Sequence, residues 1–268
     1  MNRAVRTGVP VRVTSLTSTT PRAIRTSTRR PARVAASRGI GRAIAERLGA
    51  EGATVVVNYQ SNRSAAEQVV AMIERSGGHG VAVRADVADP AQLRGLFDSA
   101  EERFGGVDTL VNNVGAARFA AIAEATDEDY ELMFSLNART TFVALREAAN
   151  RLRDHGRIVV VSSGVTATHR PGSGLYGASK AAGEELVRVL AKELGPRRIT
   201  VNNVLPGAIR TEALAASGRP ELTEQVGAST PLGRIGEPDD IAQIVAFLAS
   251  DAARWITGET IHAGGGLF

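Results

Sequence analysis

Arg157-Ile158-Val159-Val160-Val161-Ser162-Ser163, followed thirteen residues after Ser163 by Tyr176-Gly177-Ala178-Ser179-Lys180, is the stretch that decides the reading of this chain. Its first part is an apolar run of the kind that makes a strand buried on both faces, and it ends in two hydroxyls. The second part opens a helix, where a spacing of four puts Tyr176 and Lys180 on one face. An ammonium beside a phenol favours the phenolate, so Lys180 is expected to lower the Tyr176 pKa from about 10 toward the working range of a general acid/base. Ser163, at the strand end, can supply a hydroxyl to the same point. A phenol, a lysine and a serine converging form a site for proton transfer to a carbonyl or alcohol oxygen. Tyr-x-x-x-Lys alone is common on exposed helices; the strand end upstream and a glycine turn further up give it weight.

Outward from that stretch, strands and helices alternate. A helix follows Ser37-Arg38-Gly39-Ile40-Gly41, with Ile40, Ile44 and Leu48 on one face and Gly52 beyond its end. Strands are expected at 54–58, 81–85, 107–112, 157–162, 199–205 and 259–262, and helices near 63–76, 90–104, 127–153, from Tyr176 onward, and at 238–249. The strands are short and apolar on both faces, as parallel strands covered by helices are. This pattern predicts a single α/β domain with a doubly wound, Rossmann-like parallel sheet.

Ligands of such sheets lie at the carboxyl ends of the strands. There, Gly39 and Gly41 let the backbone approach a pyrophosphate held at a helix N-terminus. Asn58-Tyr59 ends the next strand, where an NAD enzyme usually carries an acid for the ribose 2′-hydroxyl. No acid stands there and Arg38 sits in the glycine turn, so NADP(H) is favoured as cofactor, with NAD(H) the alternative.

These motifs together resemble the short-chain dehydrogenase/reductase family, in particular its 3-oxoacyl-acyl-carrier-protein reductase-like members, over residues 36–268. The resemblance implies that Ser163, Tyr176 and Lys180 are catalytic and that Asn137, in Leu136-Asn137-Ala138, holds a water in a proton relay with the lysine. It implies cofactor contacts from Ser37, Arg38, Gly39, Ile40, Gly41, Asn58, Tyr176 and Lys180. Asp86-Val87 resembles the segment at the adenine edge, although Asp86 reads equally well as a turn-forming residue. Asn112-Asn113-Val114-Gly115 is similar to the Asn-Asn-Ala-Gly turn beneath the cofactor, so Asn112, Val114 and Gly115 are cofactor contacts. Pro206-Gly207-Ala208-Ile209-Arg210-Thr211 is similar to the loop on the nicotinamide, through Pro206, Gly207, Ile209 and Thr211. The family also implies a homo-oligomer, a tetramer, to which the apolar Ala181, Ala182, Leu186, Val189 and Leu190 conform. Substrate-facing segments are expected at 164–175 and about 208–229, the latter a mobile lid. The substrate is a small carbonyl or alcohol compound; a 3-oxoacyl thioester, a sugar and a cyclic ketone all stay open.

The pattern breaks at its start. Val34 and Ala35 stand where the family has a threonine and its first glycine, and the expected first strand would contain Pro31 and Arg33. Proline lacks a ladder donor and buried arginines are costly, so a regular central strand is not expected there. The domain is therefore read as 34–268, behind a disordered arginine-rich tail at 1–33. A frameshifted or misassigned start accounts best for the break, with a transit peptide or a degraded, catalytically impaired binding protein as alternatives.

Composition narrows the rest. The formal charge is +4, but residues 1–33 hold eight arginines and no acid; without them 24 basic residues face 28 acidic ones. The high pI thus belongs to the tail, and neither a nucleic-acid partner nor a membrane partner is expected. With no cysteine and four scattered histidines, neither disulfides nor a metal site is expected, and a cytoplasmic location fits.

Overall fold

The computed structural model describes residues 31–35, 38–215 and 220–268, the first strand and the start of the ninth helix by their backbone. Ser37 and residues 1–30 of the expected tail lie outside the described residues.

Seven strands form one parallel sheet: β1 (Pro31–Ala35), β2 (Thr54–Tyr59), β3 (His79–Arg84), β4 (Val107–Asn112), β5 (Leu152–Val161), β6 (Thr200–Pro206) and β7 (Thr260–Ala263), in the order β3-β2-β1-β4-β5-β6-β7. The helices are α1 (Gly39–Ala50), α2 (Arg63–Arg75), α3 (Pro90–Phe104), α4 (Asp127–Met133), α5 (Thr140–Arg151), α6 (Val165–Thr168), α7 (Gly174–Glu193), α8 (Glu212–Ala215), α9 (Pro220–Ser229) and α10 (Pro238–Ala249). The doubly wound sheet is therefore as expected, and its order reverses between β1 and β4.

Alternation along each strand splits the core into two layers. Val55, Val57, Val111, Val159, Val161 and Val204 pack with α1, α2 and α10 on one face. Val56, Leu110, Ile158, Val160 and Val201 pack with α3, α5 and α7 on the other. Because both faces are covered, the strands read as continuous apolar runs, which is what made them recognisable.

The first strand corrects the sequence reading. Pro31–Ala35 fills the centre of the sheet, pairing Pro31 with Thr54 through Ala35 with Asn58 on β2, and Ala32 to Val34 with Thr109 to Val111 on β4. Pro31 is tolerated because it is the first residue of the strand and precedes the pairing with β4, so no interior ladder bond is lost. A strand is thus formed where a regular one was not expected, which removes one of the two grounds, a damaged first strand and a damaged glycine turn, for reading a catalytically impaired protein.

The helix expected over 127–153 is also not continuous. Between α4 and α5, Phe134–Arg139 forms a π-type turn. Chain that reads as helix as far as residue 153 leaves it at Arg151, and β5 starts directly at Leu152. A π turn adds one residue to the helical repeat, which an apolar period of 3.6 does not register.

The helix behind the glycine turn packs closely on α2. A Cβ added at buried Gly49 of α1 would stand 2.6 Å from Ile73 Cγ2 of α2. Gly49→Ala should therefore overpack the α1–α2 contact, costing about 1–3 kcal/mol and lowering the melting temperature by several degrees. An unchanged melting temperature would mean that the two helices have slack.

Candidate active site

Five strands end along one cleft of about 640 Å³, lined among others by Arg38, Gly39, Ile40, Asn113, Gly115, Ser162, Ser163, Tyr176, Lys180 and Ile209. At one end lies the glycine turn. Gly39 has φ +52°, and a Cβ on it would press 3.2 Å from Thr211 Cγ2. It opens α1, a helix with no acidic side chain in its first turn, so the helix end presents free N–H groups and a positive dipole to an anion. Arg38 is exposed beside it and forms no ion pair among the described residues. Gly41 sits deeper, buried within α1. This end of the cleft fits the phosphates of a dinucleotide.

Three of the expected cofactor contacts have hydrogen bonds of their own within the fold. Asn58 borders the cleft, but its amide donates to Ala85 O at 3.0 Å and to Val83 O at 3.3 Å, fastening β2 to the end of β3. Asn112 turns away altogether: its amide donates to Thr141 Oγ1 at 2.9 Å, beside a separate void of about 40 Å³. Its neighbour Asn113 lines the cleft instead. Alternation along β4 decides between the two, and the dipeptide Asn-Asn carries no mark of that parity. Asp86 takes the turn-forming role, accepting from Ala88 N at 3.0 Å and from Gln60 Nε2 at 2.9 Å, while Val87 reaches the cleft. Tyr59, Gln60, Ala116, Ala117 and Glu212 line the cleft as well and were not singled out from the sequence. Val114, Pro206, Gly207, Ile209 and Thr211 line it as expected.

At the other end, β5 delivers Ser163 and α7 delivers Tyr176 and Lys180. Ser163 and Tyr176 line the cleft together, the serine hydroxyl near enough to act on the phenol. Burial nevertheless raises the phenol above its ordinary pKa, the serine opposing. This corrects the expected lowering by Lys180, and its reason is geometric. The lysine ammonium donates to Val114 O at 2.8 Å and to Val161 O at 3.4 Å, the carbonyls of two neighbouring strand ends. Lys180 is itself pulled from 10.5 down to about 8, by burial first, with Glu184 pushing the other way.

Asn137 lies at the π-type turn, buried. It clamps residue 116, accepting from Ala116 N and donating to Ala116 O, both at 3.0 Å. It also donates to Ser179 Oγ at 2.9 Å, and that hydroxyl donates to Tyr176 O at 2.8 Å. A Cβ at Gly115 would fall 2.6 Å from Lys180 Nζ and 2.7 Å from Asn137 Oδ1, so only glycine lets these groups close around the loop. On the outer side, Phe119 is half-exposed and meets the Tyr176 ring edge-on at 5.8 Å. Among the described residues no group of His, Asp and Glu is arranged to hold a metal, and no helix is long and apolar enough to cross a membrane.

A parallel sheet with a glycine turn at one strand end and a serine–tyrosine–lysine set at another defines a dinucleotide-binding protein equipped for proton transfer. The model of the family described as enoyl-(acyl carrier protein) reductase matches residues 34–268. An uncharacterised oxidoreductase of Methylorubrum extorquens is 47% identical over 234 residues, 87% of this chain and 94% of that protein. Versicolorin reductase of Emericella nidulans is 41% identical over 245 residues, covering 87% and 93%. Among solved structures, the angucycline C-6 ketoreductase LanV with bound NADP superposes with a TM-score of 0.84 at 42% identity, covering 89% of this chain and 95% of that one. The chain belongs to the short-chain dehydrogenase/reductase family.

Burial of Lys180 has a measurable consequence. Its charged form is favoured below pH about 8 in the folded chain but up to 10.5 when unfolded, so this group's contribution to stability should rise from pH 8 toward 10.5. The chain has two lysines, and Lys192→Arg leaves Lys180 as the single one. Its ¹³Cε resonance in lysine-labelled protein should titrate with a midpoint near 8; a midpoint at 10 or above would place the side chain in water.

Proposed function

We propose that this chain is an NADP(H)-dependent oxidoreductase that interconverts a ketone or aldehyde and an alcohol, with Tyr176 as its general acid/base. The observation that carries this reading is that Ser163, Tyr176 and Lys180 line one cleft together, with the Lys180 ammonium anchored on the carbonyls of Val114 and Val161. Ketoreductase relatives and a neighbouring structure with bound NADP support it.

Arg38 and the start of α1 would hold the phosphates, and Asn113, Val114, Ile209 and Thr211 line the path between them and Tyr176. When bound, the cofactor supplies or accepts hydride at the nicotinamide ring. A phenol whose proton burial retains is suited to give that proton to a carbonyl oxygen; in the reverse direction it takes the alcohol's proton. Ser163 Oγ steadies the same oxygen as it gains negative charge. Lys180, anchored on two backbone carbonyls, keeps positive charge near the phenol. Asn137 fixes the loop that carries the Val114 carbonyl, and its role in a proton relay is part of the same proposal, as is a cytoplasmic location. Segments 164–175 and 208–229, which hold α6, α8 and α9, are the proposed substrate-facing walls, the second acting as a lid. Half-exposed Val189 on α7 and Phe142 on α5 support a homo-oligomer, which we read as a tetramer; light scattering at micromolar concentration should give four chain masses and not one.

Tyr176→Phe should retain NADPH binding and lower turnover of the best carbonyl substrate by about 10²–10⁴; near-normal turnover would remove Tyr176 from the mechanism. By fluorescence titration NADPH should bind more tightly than NADH, by about tenfold or more if Arg38 meets the 2′-phosphate. Arg38→Ala should abolish that difference, and equal binding of both cofactors by the parent chain would show that Arg38 does not read the phosphate.

A further inference from the structure

Glu184 is a buried carboxylate with no part in the chemistry above. It lies four residues beyond Lys180 on α7, so the two share one face. The Ser162 hydroxyl donates to Glu184 Oε1 at 2.5 Å, and the Asn203 amide reaches the Glu184 backbone carbonyl at 3.4 Å. A buried carboxylate and a buried ammonium are each costly unless another charge compensates them. Yet the atoms Lys180 Nζ bonds are both neutral carbonyls.

The surroundings of Lys180 can be taken element by element. Its own helix carries Tyr176 and Glu184; the end of β5 brings Ser162, Ser163 and the Val161 carbonyl; the loop after β4 brings the Val114 carbonyl; the π-type turn brings Asn137. The other charged residues of the cleft, Arg38 and Glu212, come from the glycine turn and from α8. Glu184 is thus the acid buried alongside the lysine.

We propose that Glu184 is a positioning residue: held by the Ser162 hydroxyl, its carboxylate keeps the Lys180 ammonium charged inside the protein. The two groups compensate across one helical turn without forming a contact ion pair. The effect of Glu184 on Lys180 has the required sign, opposing the deprotonation that burial favours. Ser162, whose neighbour Ser163 meets the phenol, thereby acquires a separate task, and the Ser-Ser strand end divides its hydroxyls between the phenol and the counter-charge.

The charge relation does not depend on the oxidoreductase reading; only its effect on turnover does. Glu184→Gln keeps the shape and a partner for Ser162 but removes the charge. In a Lys192→Arg background, the ¹³Cε midpoint of Lys180 should fall by about one pH unit or more. Glu184→Asp, which retains the charge, should leave the midpoint near the parent value. An unchanged midpoint in Glu184→Gln, or an equal fall in Glu184→Asp, would overturn the proposal. If Glu184→Gln does not fold, adding Lys180→Met decides: recovery of a melting transition supports compensation between the two, and continued unfolding overturns it. The alkaline limb of kcat/KM should move with the NMR midpoint. A limb that stays fixed while the midpoint moves would remove the Lys180 charge from turnover and leave the charge relation standing, whereas absence of any turnover in the parent chain would count against the oxidoreductase reading alone.

Discussion

A buried ammonium must be held by something, and here two backbone carbonyls hold it, Val114 O and Val161 O. Val161 ends β5 and Val114 lies just past the end of β4, and the register that pairs Asn112 with Val160 brings the two side by side. The site therefore rests on the ladder between β4 and β5 before it rests on any catalytic side chain. Gly115, Asn137 and Ser179 keep the loop after β4 close enough for that grip, and the last of them ties back to the residue that carries the phenol.

Electrostatically the cleft has two ends with different rules. Around the glycine turn, charge is handled at the surface: Arg38 is in solvent, and the helix end offers N–H groups whose attraction for an anion weakens with salt. Behind Tyr176, around Lys180 and Glu184, the side chains are buried, so a change of protonation at one group is felt by the other. A neutral phenol, a cationic lysine and a buried carboxylate can coexist there because two backbone carbonyls and two serines take up the hydrogen bonds that water would otherwise make.

Much of this was legible in the sequence, and the remainder was hidden for definite reasons. Strands buried on both faces write themselves as apolar runs, so β2, β4 and β6 fell within a residue or so of their expected places. A spacing of four on a helix is unambiguous, so Tyr176 and Lys180 were placed together. Side-chain direction at a strand end has a period of two and was not readable from Asn112-Asn113. Asn58 was read as ligand-facing and Asp86 as either ligand-facing or turn-forming; their hydrogen bonds secure β2, β3 and the following turn, and Asn58 also borders the cleft. Glu184 was not singled out from the sequence; what buries it is α7 lying against β6, a long-range fact. Proline in β1 argued against a strand, but its place at the strand's first residue removed the objection.

The π-type turn at Phe134–Arg139 bears on how this protein can change over generations. An ordinary helix advances about 100° per residue, so the one surplus residue sets the rotation of α4 relative to α5. Removing a residue there would let the backbone close into a regular helix while swinging α4, with Met133 and the Thr126 cap, to another side. The wide turn is thus recorded in the length of the chain, with Thr140 Oγ1 donating to Ser135 O across it at 3.0 Å. Drift by substitution leaves it in place, whereas a single in-frame codon loss would erase it together with the setting of Asn137.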